Sequence, residues 1–279
     1  MKILKSALAL VGIFAMIGSV GGSKGEEILQ KAKDTAQVAG EAIVKRISLA
    51  GEIDTLDRTK VGYGQGVIKD DKNRPVGATD FNARYGNFDA FALKENEEKT
   101  IYLTFDQGYE NGYTEKILDT LKEKNVKATF FVVGDYVKRN EELVRRMIDE
   151  GHTIGNHSMS HYSMPTLSLA QCQDEITSLH DYVRDKFQYE MTLFRPPMGE
   201  FSEWSLGVTK ECGYETMLWS FAYYDWVTDD QPEPSQALDK LVSAAHDGAV
   251  YLLHSVSSTN AQILGDFIDE MREKGYKFG

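Results

Sequence analysis

Residues 100–114 read TIYLTFDQGYENGYT. The first six, Thr100 to Phe105, form an apolar run rich in β-branched and aromatic side chains, which predicts a buried strand. Asp106 stands at its C-terminal end. Gln107 and a loop of Gly, Asn and Tyr follow. Working outward, short apolar runs recur at 128–133 (ATFFVV), 153–156, 192–195, 214–219 (YETMLW) and 249–253 (AVYLL). Between them lie helical patterns at 114–124, 139–150, 168–187, 202–212, 235–246 and 260–274. Strand followed by helix, repeated, predicts an α/β fold with a mainly parallel sheet. Periodicity leaves open whether the sheet closes.

Upstream of residue 98 the pattern differs. Lys2 and Lys5 precede a charge-free stretch from Ala7 to Gly22. That is shorter than the ~20 apolar residues of a spanning helix. It fits a secretory signal, with a weak cleavage site near Ser19-Val20-Gly21. An uncleaved anchor is the rival reading, and either implies export. Ile28, Leu29, Ala32, Ala36, Ala39, Ile43, Val44 and Ile47 predict a helix over 24–47. Residues 48–98 are polar and Gly-rich and read as an irregular arm. The expected organisation is a leader (1–23), a helical and irregular arm (24–97) and a main domain (98–279).

The chain has 279 residues, enough for one large domain plus a leader. A net charge of −12 argues against nucleic acid, whose phosphates need clustered Lys and Arg. Cys172 and Cys212 are the only cysteines, so a cysteine zinc site is excluded. In an exported chain they are candidates for a bridge, and two separate semi-buried thiols are the alternative.

Chemistry-bearing residues follow the strand runs in order: Asp106, then His157-Ser158-Met159-Ser160-His161, then Arg195-Pro196-Pro197-Met198-Gly199, then Asp225 and Trp226, then His254. In barrels and open α/β sheets this edge is where active sites form. His157 and His161 stand four apart, which on a helical turn puts both on one face, a good geometry for a divalent metal. Two histidines need a third ligand, and Asp106 and Gln107 are the candidates. His254 is a candidate general acid, against the alternative of a core histidine bonded to backbone. Arg195 is a candidate to hold a carboxylate ionised. Asp225 is a candidate to orient His254. His152, His180 and His246 read as structural. Trp219 reads as core, whereas Tyr224 and Trp226 are either core or a sugar-stacking wall. Together these residues suggest metal-assisted hydrolysis with one acid, one base and a water.

The runs TFDQGYENGYT, HSMSH, RPPMGEFSE, YYDW and VYLLHSVS, in that order, resemble the five motifs of the polysaccharide deacetylases. These are the NodB-homology domains of carbohydrate esterase family 4. The resemblance runs from about residue 98 to the C-terminus. GYENGYT, RPPxGxFSE and LLHSVS are similar to the branch that de-N-acetylates muramic acid in peptidoglycan, the step toward muramic δ-lactam in the spore cortex.

The resemblance implies a deformed (β/α) barrel and a divalent metal, with zinc as the expected ion. It implies His157 and His161 as metal ligands and Asp106 as general base toward the attacking water. It implies Arg195 holding Asp106 charged, and His254 as general acid tuned by Asp225. The oxyanion would be held by the metal and a backbone N–H near Met198. Tyr109, Pro197, Met198, Tyr224 and Trp226 are the expected glycan contacts. The implied partner is a peptidoglycan strand outside the cytoplasm.

Gln107 departs from the family, which mostly has a second Asp there. An amide oxygen can ligate but brings no charge. Weaker metal binding, by about tenfold or more, is therefore expected. Met198 replaces a basic or aromatic residue. The family usually runs on past Phe278-Gly279 through a short helix, so the last strand is expected to be thinly covered. Two rival functions stand beside the first: deacetylation of N-acetylglucosamine in murein or chitin, and a catalytically silent glycan-binding module.

Overall fold

The computed structural model of the chain describes residues 30–31, 51, 53–95 and 98–279. The candidate leader and nearly all of the expected helix 24–47 lie outside the described residues. The chain divides into two compact units, Met1–Thr55 and Leu56–Gly279. The sheet and every candidate site residue belong to the second. Among the described residues, no helix is long and apolar enough to cross a membrane.

The opening run forms β3 (Thr100–Gln107), buried along nearly its whole length. It pairs in parallel with β4 (Thr129–Val132) on one side and β10 (Ala249–His254) on the other. The full order is β2 (Ala90–Phe91), β8 (Glu215–Met217), β6 (Leu193–Phe194), β5 (Thr153–Asn156), β4, β3, β10 and β9 (Phe221–Ala222). β11 (Lys277–Phe278) adds in parallel to the start of β3. A small antiparallel pair joins β1 (Val61–Gly62) to β7 (Glu200–Phe201).

The sheet curls, and chain reach shows why. β8 and β9 stand six strand spacings apart in the order, about 29 Å if the sheet were flat. Only Leu218, Trp219 and Ser220 separate them in sequence, and the four steps from Met217 to Phe221 reach about 14 Å at most. The two ends must therefore meet. Leu218 N–H donates to Phe91 O of β2 at 2.8 Å, and Ser220 N–H donates to Val250 O of β10 at 2.9 Å. One short segment thus bonds β2 at one end of the order and β10 next to the other end, giving the curled sheet of a deformed (β/α) barrel.

Helices connect the strands: α1 (Val76–Tyr85), α2 (Thr114–Glu123), α3 (Gly134–Arg139), α4 (Glu141–Asp149), α5 (Leu169–Phe187), α6 (Glu203–Glu211), α7 (Pro234–Ser243) and α8 (Ser258–Glu273). α5 begins in a capping box of Ser168 and Gln171, and α6 in one of Ser202 and Ser205. Each box satisfies two backbone donors that the helix leaves free. α5 buries Cys172, Ile176, Leu179, Val183 and Phe187, a stripe at helical spacing. Cys172 and Cys212 are both free thiols.

Three expectations are corrected. Residues 76–91, read as part of an irregular arm, contain α1 and the sheet strand β2. Ala78, Phe81 and Tyr85 follow Pro75 at helical spacing and pack on Phe201, so the arm belongs to the core. Asn82 locks β2 by donating to Leu93 O at 2.8 Å and accepting from Ala92 N–H at 2.7 Å. Both elements fall within the compact unit Leu56–Gly279. Secondly, a short helix not expected from the sequence, α3, precedes the expected helix 139–150, which stands as α4 after a break at Asn140 (φ −128°, ψ 43°). Thirdly, HSMSH is not a helical turn, as described below.

Candidate active site

Asp106 and His254 are direct neighbours in the β3–β10 register. Each therefore stands at the same height on the C-terminal edge, and each has its own partner. Asp106 Oδ1 accepts from Arg195 Nη1 at 2.7 Å. His254 Nδ1 lies 2.7 Å from Asp225 Oδ1.

Arg195 is wholly buried, so its charge must be matched closely. It donates to Asp106, to Thr104 Oγ1 at 2.9 Å, to Met217 O at 3.0 Å and to Leu218 O at 3.1 Å. Its guanidinium lies 4.1 Å from the Phe131 ring centre. Phe131 is wedged against Gly155 of β5, where a Cβ would fall 2.4 Å from the ring. Burial alone would raise the Asp106 carboxyl, but Arg195 foremost, with His157 and His254, holds it below the usual carboxylate range. For His254, burial opposes the charged form, but the Asp225 hydrogen bond and charge, with Asp106, carry it above the usual imidazole value. A carboxyl group favoured in its ionised form thus faces an imidazole favoured in its protonated form.

His157 follows β5, and its Nδ1 lies 2.7 Å from Arg195 O. That contact engages the Nδ1 proton and leaves Nε2 with a free lone pair, 3.5 Å from Asp106 Oδ2. Burial pushes His157 down to about 4 and also lowers His161, so both are neutral. Their rings meet edge to face with centres 4.8 Å apart. The intervening loop reaches this through left-handed residues, Ser158 (φ 67°) and His161 (φ 60°). Side chains hold it there in place of helical bonds. Asn156 Oδ1 accepts from Ser158 N–H at 2.9 Å, Ser158 Oγ from His161 N–H at 2.9 Å, and Glu175 Oε2 from Ser160 N–H at 2.7 Å. Strained non-glycine backbone of this kind concentrates at functional sites.

Gln107 ends β3, fully buried. Its Nε2 donates to Ser255 Oγ, while Oε1 has no hydrogen-bond partner. A buried orphan oxygen requires an explanation, and a cation is one. Among the described residues, no three His, Cys, Asp or Glu side chains come together as a ready ligand set. Two imidazoles and an amide oxygen are nevertheless donor types that suit a divalent cation, with Asp106 as the charge beside His157.

Tyr109, Tyr224, Trp226 and Met198 are about half exposed, whereas most aromatic side chains of the unit are buried. Tyr224 packs on Trp226, whose ring centre is 5.7 Å from that of His254. Trp219 is core, as expected. Pro197 is buried, which corrects its expected role as a glycan contact. It opens the turn in which Met198 adopts φ 59°.

Sequence reasoning missed Thr104, Ser255 and Glu175. Thr104 and Ser255 adjoin motif residues in sequence, a usable signal. Glu175 lies on α5 and carries none. His152 and His246 are buried in backbone contacts, and His180 bridges Tyr214 and Glu190, as the structural reading expected.

The polysaccharide deacetylase family matches residues 93–217. The peptidoglycan-N-acetylmuramic acid deacetylase PdaA of Bacillus subtilis is 46% identical over 205 residues, covering 73% of this chain and 78% of its own. The chain belongs to the polysaccharide deacetylase family. The solved structure of Bacillus subtilis PdaA, a family 4 carbohydrate esterase, superposes with a TM-score of 0.76 at 42% identity. It covers 80% of this chain and 95% of its own. A peptidoglycan-N-acetylglucosamine deacetylase of Bacillus cereus is a further polysaccharide deacetylase relative, 35% identical over 66% of this chain and 86% of its own.

Proposed function

We propose that this polysaccharide deacetylase removes the N-acetyl group of muramic acid in peptidoglycan, outside the cytoplasm, as a step toward muramic δ-lactam. The register pairing of Asp106 with His254 carries the hydrolytic reading, because binding alone needs neither the Arg195 nor the Asp225 partner. Similarity to PdaA over nearly three-quarters of the chain favours muramic acid over N-acetylglucosamine.

His157, His161 and Gln107 Oε1 would hold the cation, with zinc as the expected ion; when bound, it supplies Lewis-acid polarisation of the acetamide carbonyl. Asp106 takes the proton of the attacking water as its oxygen bonds to the carbonyl carbon. Arg195 keeps that carboxylate ionised and fixed. A backbone N–H near Met198 is the expected donor to the oxygen that gains charge. His254 gives its proton to the nitrogen as the C–N bond breaks. Acetate and the free amine leave. Tyr109, Tyr224 and Trp226 offer stacking faces to the sugar ring.

Acetate release by the purified chain tests the proposal. The substrates are murein strands stripped of peptide, intact murein and chitin oligomers, each with zinc and with chelator. Chelator-sensitive acetate from stripped strands, with muramic amine found by mass spectrometry, is the expected result. Acetate from chitin oligomers alone would reassign the sugar. No acetate from any substrate at saturating zinc would leave a silent glycan-binding module.

A further inference from the structure

His254 does not hold Asp225 alone. Asp225 Oδ1 faces His254 Nδ1, while Oδ2 accepts from His254 backbone N–H at 2.9 Å and from Asn260 Nδ2 at 2.6 Å. Asn260 lies in the first turn of α8 and is 1% exposed. Its Nδ2 also donates to His254 O at 3.1 Å, and its Oδ1 accepts from the Tyr223 hydroxyl. Every polar group of the amide is therefore engaged. The carboxylate fixes which end is which, since a flipped amide would set its oxygen against Oδ2.

The same turn grips the chain that carries Asp225. Ser257 Oγ accepts from Asn260 N–H at 3.0 Å and donates to Gln231 Oε1. Gln231 Nε2 donates to Asp225 O at 2.9 Å and to Val227 O at 2.7 Å. Asp225 itself stands in irregular chain between β9 and α7, so no ladder holds it.

We infer that Asn260 is a positioning residue for the acid: it locks the Asp225 carboxylate so that Oδ1 holds the His254 Nδ1 proton and Nε2 is left for the leaving amine. The inference rests on the proposed function for its kinetic consequence, but not for its geometry. A helix-cap neighbour would affect only stability. A positioning residue acts on turnover and on the proton between His254 and Asp225.

The test compares wild type, Asn260→Ala and Tyr223→Phe on peptide-stripped murein strands with zinc, alongside proton NMR of the zinc-loaded protein. Wild type is expected to show a far-downfield resonance from the His254 Nδ1 proton, absent in His254→Ala. Asn260→Ala is expected to move it upfield and to lower kcat about tenfold at unchanged KM, the scale of outer-shell losses. Tyr223→Phe removes only the hydroxyl that orients the amide. It is expected to shift the resonance and kcat in the same direction by less, and decides the matter if Asn260→Ala does not fold. A resonance and kcat at wild-type values in every folded variant, with only a lowered Tm, overturns the inference. If wild type releases no acetate, the functional reading fails, and the resonance alone decides the positioning.

Discussion

Asp106 and Gln107 are adjacent residues with different tasks. The carboxylate is held by Arg195 and, in the proposed function, takes the proton of the attacking water, while the amide presents an oxygen with no partner in the fold. Asp106→Asn keeps the shape and removes the base, so turnover is expected to vanish while the circular dichroism spectrum is retained; wild-type rates would refute the assignment. Gln107→Glu keeps the side-chain length and puts a charged oxygen where the orphan stands. Zinc affinity by titration calorimetry is expected to tighten about tenfold or more, and an unchanged affinity would remove residue 107 from the ligand set. For Asp225→Asn the sign follows from the acid. In the proposed function protonated His254 is the active form and Asp225 favours it, so activity is expected to persist to higher pH than a free imidazole at ~6.5 would allow. The variant's alkaline limb is expected to move down, with the acid limb, set by Asp106, unmoved. A profile of kcat/KM against pH checks both.

Elements were legible where hydrophobic period and length agreed. β3, β4, β5 and β10, and helices α2, α5, α6 and α8, stand within about two residues of the runs read from sequence, within the usual uncertainty of element ends. α1 and β2 were missed because Gly and polar residues around them dilute the pattern, leaving only Ala78, Phe81 and Tyr85 as signal. Those side chains matter energetically. Phe81 meets Tyr63, Tyr85 and Phe201 ring to ring. Phe81→Ala is expected to cost about 3 kcal/mol of stability, measurable as a lowered urea midpoint at unchanged slope. The histidine pair was read correctly as neighbours but by the wrong device. Its spacing suggested a helix, and left-handed backbone at Ser158 and His161 does the work instead, which residue spacing does not encode. The Arg195 contacts to Met217 and Leu218 carbonyls were likewise invisible, since backbone oxygens leave no trace in composition.

At the scale of the whole unit, the site is an edge property of a curled sheet. β3, β5, β6, β9 and β10, far apart in sequence, each lead to one part of it. In the proposed function a cation held by residues that end or follow two of these strands would link them in the native state only. Added zinc is therefore expected to raise Tm with concentration, and His157→Ala to abolish the rise. The curl itself depends on Leu218–Ser220, which bonds Phe91 O and Val250 O, while Arg195 grips the carbonyls of Met217 and Leu218 from inside. Of these, the Leu218–Phe91 bond joins residues more than a hundred positions apart, and such long loops close slowly. Helices and the β3–β4–β5 layer can form from nearer neighbours before the seam is made. Asp106 gains its arginine only when that seam is made, so on refolding helical ellipticity should return first and acetate release last.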